Sequence, residues 1–179
     1  MSGEIASLKS AIRNVPDFPV PGILFKDITP ILGRPDLLAT AVDALSAFAR
    51  EQGAQVVAGI EARGFMLAAP VALALGVPFV PIRKAGKLPW KTVKASYSLE
   101  YGTAEIEVHE DAFAPGQRVV VIDDLLATGG TAKAACELVE SLGGVVAGLG
   151  FVVELTFLSA RDKLPGREIA SFVRYAAGE

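Results

Sequence analysis

Apolar residues along this chain switch between helical and alternating spacing, and the switches divide it into strands and helices. Ile5, Leu8 and Ile12 in "GEIASLKSAIRNV" recur at helical spacing and predict a short amphipathic helix. From Pro35, the residues Leu38, Ala41, Val42, Leu45, Phe48 and Ala49 mark a second helix, with proline in its first turn and Gly53 past its end. Between the two, "PDFPVPGILFKDITP" packs four prolines, a glycine and two phenylalanines into a segment that cannot be a regular helix and reads as an ordered arm or lid. "AQVVAGIEARGF" is an apolar strand running into a polar turn. The uncharged stretch from Phe65 to Ile82 is long enough to raise a transmembrane question, but three prolines and Gly76 break it into a buried helix, a glycine turn and a buried strand. "KTVKASYSLEYG" and the strictly alternating "AEIEVHED" predict a hairpin-like excursion with one wet face. "RVVVIDD" is a third buried strand, "TAKAACELVESLGG" a helix with Ala135, Leu138, Val139 and Leu142 on one face, and "VVAGLGFVVEL" a fourth strand. The tail "TFLSARDKLPGREIASFVRYAAGE" has room for one more strand and carries no assigned role. Strands alternating with helices predict an α/β fold, an open and mostly parallel sheet with helices on both faces.

At 179 residues, 51% of them hydrophobic, residues 1–179 suit a single domain with a substantial core. Lys and Arg total 17 against 20 Asp and Glu, a formal charge of −3, which gives no global footprint for nucleic acid. Any phosphate must be held by a local site. One cysteine, Cys136, and one histidine, His109, exclude an internal disulfide and a Cys/His metal cluster, and fit a reducing cytoplasm. The opening "MSGEIASLKS" has no apolar stretch and does not read as a signal peptide, so neither membrane nor nucleic acid is an expected partner. His109, inside the alternating pattern, reads as structural or solvated, and Cys136 as a small apolar core residue.

The chemistry concentrates in "VVVIDDLLATGGT", residues 119–131. Four apolar residues run into adjacent carboxylates, Asp123 and Asp124, and a loop of small residues leads into the next helix. In an open parallel sheet, ligands sit beyond the carboxyl ends of the strands. Small residues there let backbone N–H groups crowd round an anion at the helix start, with Thr128 and Thr131 hydroxyls as further donors. It is not a Walker A loop, because no lysine lies inside the turn, and the one G-x-G, Gly148 to Gly150, lies inside a strand pattern. Paired carboxylates beside a phosphate cradle can accept hydrogen bonds from vicinal hydroxyls, and a ribose 5′-phosphate supplies both partners.

"VVVIDDLLATGGT" resembles the phosphoribosyl diphosphate signature of the type I phosphoribosyltransferases. "PDFPVPGILFKDITP", "GIEARGF", "PIRKAGKLPW" and "ASYSLEYG" stand in the order seen in the adenine phosphoribosyltransferases, so the resemblance covers essentially the whole chain. It implies an N-terminal arm or hood (about 1–34) over the base, a flexible catalytic loop (about 84–108), and conversion of adenine and phosphoribosyl diphosphate to AMP and pyrophosphate. Mg²⁺ would be bound through the diphosphate, with no metal ligand directly from the protein, and the assembly would be a homodimer. Carried to matching positions, Asp123 and Asp124 would hold the ribose hydroxyls, and the backbone of Ala127, Thr128, Gly129, Gly130 and Thr131 the 5′-phosphate. Arg63, after a strained turn at Ala62, would face the pyrophosphate; Arg83, Lys84 and Lys87 would add positive charge, Arg83 from across the dimer interface. Leu24, Phe25 and Lys26 in the arm and Leu125 beneath the base would bind adenine, although Phe25 reads equally well as core, and Lys26 stands where many relatives carry arginine.

Breaking the bond from ribose C1 to diphosphate requires stabilising the departing charge and holding the base nitrogen in line. A purine also loses a ring proton as N9 bonds to C1, which calls for a carboxylate near the imidazole edge. Hypoxanthine-guanine relatives carry that acid inside the signature loop, where this chain has Ala127. The resemblance places it instead at Glu100, next to Tyr101 in "SLEYG". Two alternatives stay open: transfer to another base, such as a different purine or orotate, and a regulator that binds phosphoribosyl diphosphate or adenine without turnover. The arm and Ala127 argue against the first; Glu100 and the lack of net basicity argue against the second.

Overall fold

The computed structural model describes residues 2–98 and 103–179. Helix α1 (Ser2–Ala11) is followed by a two-stranded antiparallel pair, β1 (Arg13–Pro16) and β2 (Leu24–Asp27), and by the single turn α2 (Thr29–Leu32). The proline-rich arm is therefore partly a small ladder, with Pro19, Pro21 and Gly22 in the turn between its strands, Pro16 at the end of β1 and Pro30 in α2. Helix α3 (Pro35–Glu51) leads to β3 (Val56–Ile60), α4 (Arg63–Leu75), β4 (Phe79–Lys84) and the strands β5 (Thr92–Ser98) and β6 (Thr103–His109). Then come β7 (Arg118–Leu126), α5 (Gly130–Ser141), β8 (Val145–Leu155), two short 3₁₀ turns (Thr156–Leu158 and Ala160–Lys163) and β9 (Ile169–Tyr175).

Seven strands form one sheet in the order β5-β6-β4-β3-β7-β8-β9. The pairs β3–β4, β3–β7, β7–β8 and β8–β9 are parallel, and β6 joins β4 and β5 antiparallel, so the excursion extends the sheet at one edge. Because side chains alternate along a strand, the central strands feed two cores. Val56, Ala58, Ile60, Val119 and Val121 pack with Ala135, Leu138 and Val139 of α5. Val57, Val120 and Ile122 pack with Leu45 of α3 and Leu67 and Val71 of α4. This is the expected mostly parallel sheet covered on both faces. No helix among the described residues is long and apolar enough to cross a membrane.

Three local readings are refined. The glycines of the G-x-G are seats for α3: a Cβ at Gly148 would stand 2.7 Å from the Phe48 ring, and one at Gly150 2.8 Å from Leu45. The C-terminal tail is ordered, as β9 and the turns before it. The alternation of β6 does not yield a wet face throughout: Glu107, flanked by buried Ile106 and Val108, is only 2% exposed.

Cys136 packs in the α5 core, and burial pushes its thiol up to about 11. We expect it to resist thiol reagents in the native protein at pH 8 and to react on unfolding in denaturant, as read by mass spectrometry; rapid native labelling would contradict this packing.

Candidate active site

Strand β7 carries the two carboxylates, but does not end at them. Its pairing with β3 stops at Gly59–Ile122, whereas its pairing with β8 continues to Leu126–Glu154. Beyond Ile122 the ladder is open on the β3 side, where the chain turns through Glu61 and Ala62 into α4. Asp123 and Asp124 line that opening. Beyond Leu126, residues 127–131 fold round a cavity of about 80 Å³, lined also by Asp123, Leu125 and Phe151. Helix α5 starts here with no side-chain cap, so the first N–H groups of the helix have no side-chain partner and suit an anion. Its cap, Gly129, has φ of +79° and lies against the Ala160 carbonyl, at 2.8 Å from where a Cβ would be, so only glycine fits.

A second cleft of about 280 Å³ adjoins the first at Asp123 and is lined by Glu61, Ala62, Arg63, Lys84 and Asp124. Arg63, the first residue of α4, donates from Nε to the buried Asp124 carboxylate. The helix reaches the strand this closely because its next residue is Gly64, where a Cβ would stand 2.8 Å from the Ile122 carbonyl oxygen and 2.9 Å from Asp123 Oδ1. Burial opposes the charge on Arg63, but the Asp124 hydrogen bond and the charges of Asp124, Asp123 and Asp27 outweigh it and raise its pKa. Asp123 shifts the other way: burial first, then the neighbouring Asp124 charge, push its carboxyl well above the usual range. The Glu61–Ala62 peptide bond is cis. Phe25 of β2 lies over the Arg63 guanidinium at 5.4 Å and meets the Phe18 ring edge-on at 5.1 Å, so the arm reaches the cleft through an aromatic face.

The remaining basic residues are arranged by carboxylates that sequence reasoning passed over. Arg83 donates to Glu61 from Nε (3.1 Å) and Nη2 (3.3 Å) and to the Lys87 carbonyl from Nη1 (2.8 Å). Its guanidinium is thus occupied within its own chain. The Lys84 N–H also donates to Glu61, at 3.0 Å. Burial works against ionisation of Glu61, but these hydrogen bonds with Arg83 and Lys84 hold its carboxyl below the usual range. Lys87 meets the site through its backbone, and its side chain is not among those lining either cleft.

In the arm, Leu24 is exposed and Lys26 is buried. The Lys26 side chain is 3% exposed and turns away from the clefts, donating to Asn14 Oδ1 (2.8 Å) and the Glu179 carbonyl (2.6 Å) and lying 4.0 Å from the Tyr175 ring centroid. Glu100 and Tyr101 lie outside the described residues. A further carboxylate missed from sequence is the buried Glu154, which takes Arg161 Nε and Nη2 at 2.7 and 2.8 Å and also Ser171. It fixes the turn that presents Ala160 to Gly129. Its only sequence signal was an acid inside an otherwise apolar strand.

The phosphoribosyl transferase domain profile matches residues 33–167. An adenine phosphoribosyltransferase of Chloroflexus aurantiacus is 54% identical over 168 residues, covering 94% of this chain and 97% of its own. The chain belongs to the adenine phosphoribosyltransferase family. The crystal structure of the adenine phosphoribosyltransferase from Thermoanaerobacter pseudethanolicus has a TM-score of 0.93 at 49% identity, covering 96% of this chain and 99% of that one. The Saccharomyces cerevisiae adenine phosphoribosyltransferase, solved with an imino-altritol bisphosphate and adenine, has a TM-score of 0.92 at 41% identity, covering 97% and 100%. The domain profile begins near the end of the arm, whereas the adenine phosphoribosyltransferases cover nearly the whole chain.

Because the folded-state pKa of Asp123 stands above that of the unfolded chain, the stability this group contributes is present below about pH 3.9 and lost as pH rises through the raised value. Asp123→Asn should therefore raise the melting temperature of the ligand-free protein near neutral pH by roughly 2–4 °C, for about 1 kcal/mol. It should also flatten the pH dependence of melting. Calorimetry at several pH values checks this, and a variant that melts lower than wild type at pH 8 would sink the account.

Proposed function

We infer that this chain transfers the phosphoribosyl group of phosphoribosyl diphosphate to adenine, releasing AMP and pyrophosphate. The observation that carries the reading is the junction at Asp123 of a backbone-lined anion cavity and an arginine-lined cleft. One substrate with a 5′-phosphate at one end, a diphosphate at the other and vicinal hydroxyls between them spans both.

The first N–H groups of α5 and the Thr128 and Thr131 hydroxyls receive the 5′-phosphate. Asp123 and Asp124 accept the ribose hydroxyls, and Arg63 and Lys84 face the diphosphate, with Arg83 and Lys87 at the rim. The bond from C1 to the diphosphate oxygen breaks with its electron pair leaving on pyrophosphate. N9 of adenine supplies the pair for the new bond, and its proton passes to the Glu100 carboxylate. Phe25 and Leu125 flank the ring, and main-chain groups of Leu24 to Lys26 read its 6-amino edge.

The cleft suits Mg²⁺ carried in on the diphosphate: its carboxylates include Asp123 and Asp124, the latter already engaged by Arg63. Such an ion would neutralise part of the leaving group's charge. We further read the chain as one catalytic domain that works in the cytoplasm as a homodimer. Support for the dimer comes from α4, which leaves Met66 (49% exposed) and Leu73 (84% exposed) seven residues apart on one face.

Incubation with phosphoribosyl diphosphate, Mg²⁺ and each of adenine, hypoxanthine, guanine, xanthine and orotate should yield AMP and pyrophosphate from adenine alone. Glu100→Gln should slow turnover by roughly two orders of magnitude or more. Binding of phosphoribosyl diphosphate without turnover of any base would favour a regulator instead. Sedimentation velocity should give a two-chain mass for wild type and one chain for Leu73→Asp; a monomeric wild type would remove the dimer.

A further inference from the structure

Glu107 is the residue whose burial most contradicts its sequence pattern. The alternation of β6 assigns it to the solvent face, yet it lies fully inside the protein with its carboxylate bonded to main chain and hydroxyl, not to a cation. Oε1 accepts two successive backbone N–H groups, from Lys87 and Leu88, each at 2.9 Å, and Oε2 accepts the Thr92 hydroxyl at 3.1 Å. Burial disfavours its charge, but the N–H groups of Leu88, Gly86 and Lys87 and the Thr92 hydroxyl outweigh this and hold its carboxyl below the usual range. Charge-assisted bonds of this kind are stronger and shorter than neutral ones. A carboxylate satisfied by consecutive N–H groups sets the path of the backbone that carries them.

That backbone is the turn between β4 and β5, and further bonds lead from it to the cleft. The Lys87 carbonyl receives Arg83 Nη1 at 2.8 Å; Arg83 grips Glu61 through Nε and Nη2; Glu61 also takes the Lys84 N–H. Glu61 and Lys84 both line the cleft that holds Arg63, Asp123 and Asp124. Arg83 and Glu107 are also direct partners across the β4–β6 ladder, so the bonds close a ring with the sheet.

We propose that Glu107 is a positioning residue for the diphosphate: by pinning the turn at Lys87 and Leu88 it places Arg83, and through Arg83 the Glu61 and Lys84 wall of the cleft. It acts on the diphosphate and not on the base, and never touches substrate. The proposal rests on the phosphoribosyl-transfer reading above.

The test compares wild type with Glu107→Ala, Glu107→Gln and Thr92→Val, measuring KM for phosphoribosyl diphosphate and for adenine, direct pyrophosphate binding by calorimetry with Mg²⁺, and melting temperature. Glutamine can keep all three bonds, its oxygen on the two N–H groups and its amide N–H on the Thr92 hydroxyl. Glu107→Ala should raise KM for phosphoribosyl diphosphate and weaken pyrophosphate binding by roughly tenfold or more, with KM for adenine changed less than about twofold. Glu107→Gln should restore both to within about threefold of wild type, and Thr92→Val should fall between the two. A lowered melting temperature with pyrophosphate binding unchanged would reduce Glu107 to a structural role and overturn the proposal. Should Glu107→Ala not fold, Thr92→Val decides: selective weakening of pyrophosphate binding supports the proposal, and no change overturns it. A wild type that makes no AMP yet binds pyrophosphate would defeat the transfer reading, while the pyrophosphate comparison would still decide the role of Glu107.

Discussion

The ion pair between Arg63 and Asp124 ties the first residue of a helix to the late residues of a strand. With the arginine drawn against β7, the start of α4 closes one side of the cleft, and Phe25 finds a cationic face on which to rest the arm. The contact is possible only because Gly64 lets the helix backbone touch the strand. In water such a pair contributes little, but Asp124 is buried although the Arg63 side chain is 40% exposed, so removing the arginine would leave a buried charge without its partner. The pair therefore organises the cleft.

Asp123 shows what this arrangement costs. Two carboxylates on successive residues, one already neutralised by Arg63, leave the other to carry the desolvation, and its affinity for a proton rises accordingly. An apolar strand end would carry no such cost. The cavity beside it takes its shape from contacts behind it. Glu154 and Arg161 hold the turn at Ala160, Ala160 abuts Gly129, and Gly129 sets the first N–H groups of α5.

Much of the architecture was legible because it is local. Period-2 and helical spacing are imposed by backbone geometry, so the central strands, α3, α4 and α5 could be read from residue order, and the small-residue loop after Asp124 marked the cavity beyond β7. The arm was recognised as non-helical but not as the β1–β2 ladder, because prolines announce what a segment cannot form more clearly than what it does.

What the chain order could not disclose was which charge meets which. Arg63 finds Asp124 across 61 positions, Arg83 finds Glu61 across 22, and Lys26 reaches Glu179 across 153. The alternating pattern of β6 placed Glu107 in water, and only the arrival of the Lys87 and Leu88 N–H groups makes its burial tolerable. The sequence by itself determined the central elements, their layering and the small-residue loop after β7, since each follows from spacing and steric freedom within a few residues. Tertiary structure alone decided the electrostatics, since whether a buried charge is stable depends on donors and countercharges that distant segments bring to it.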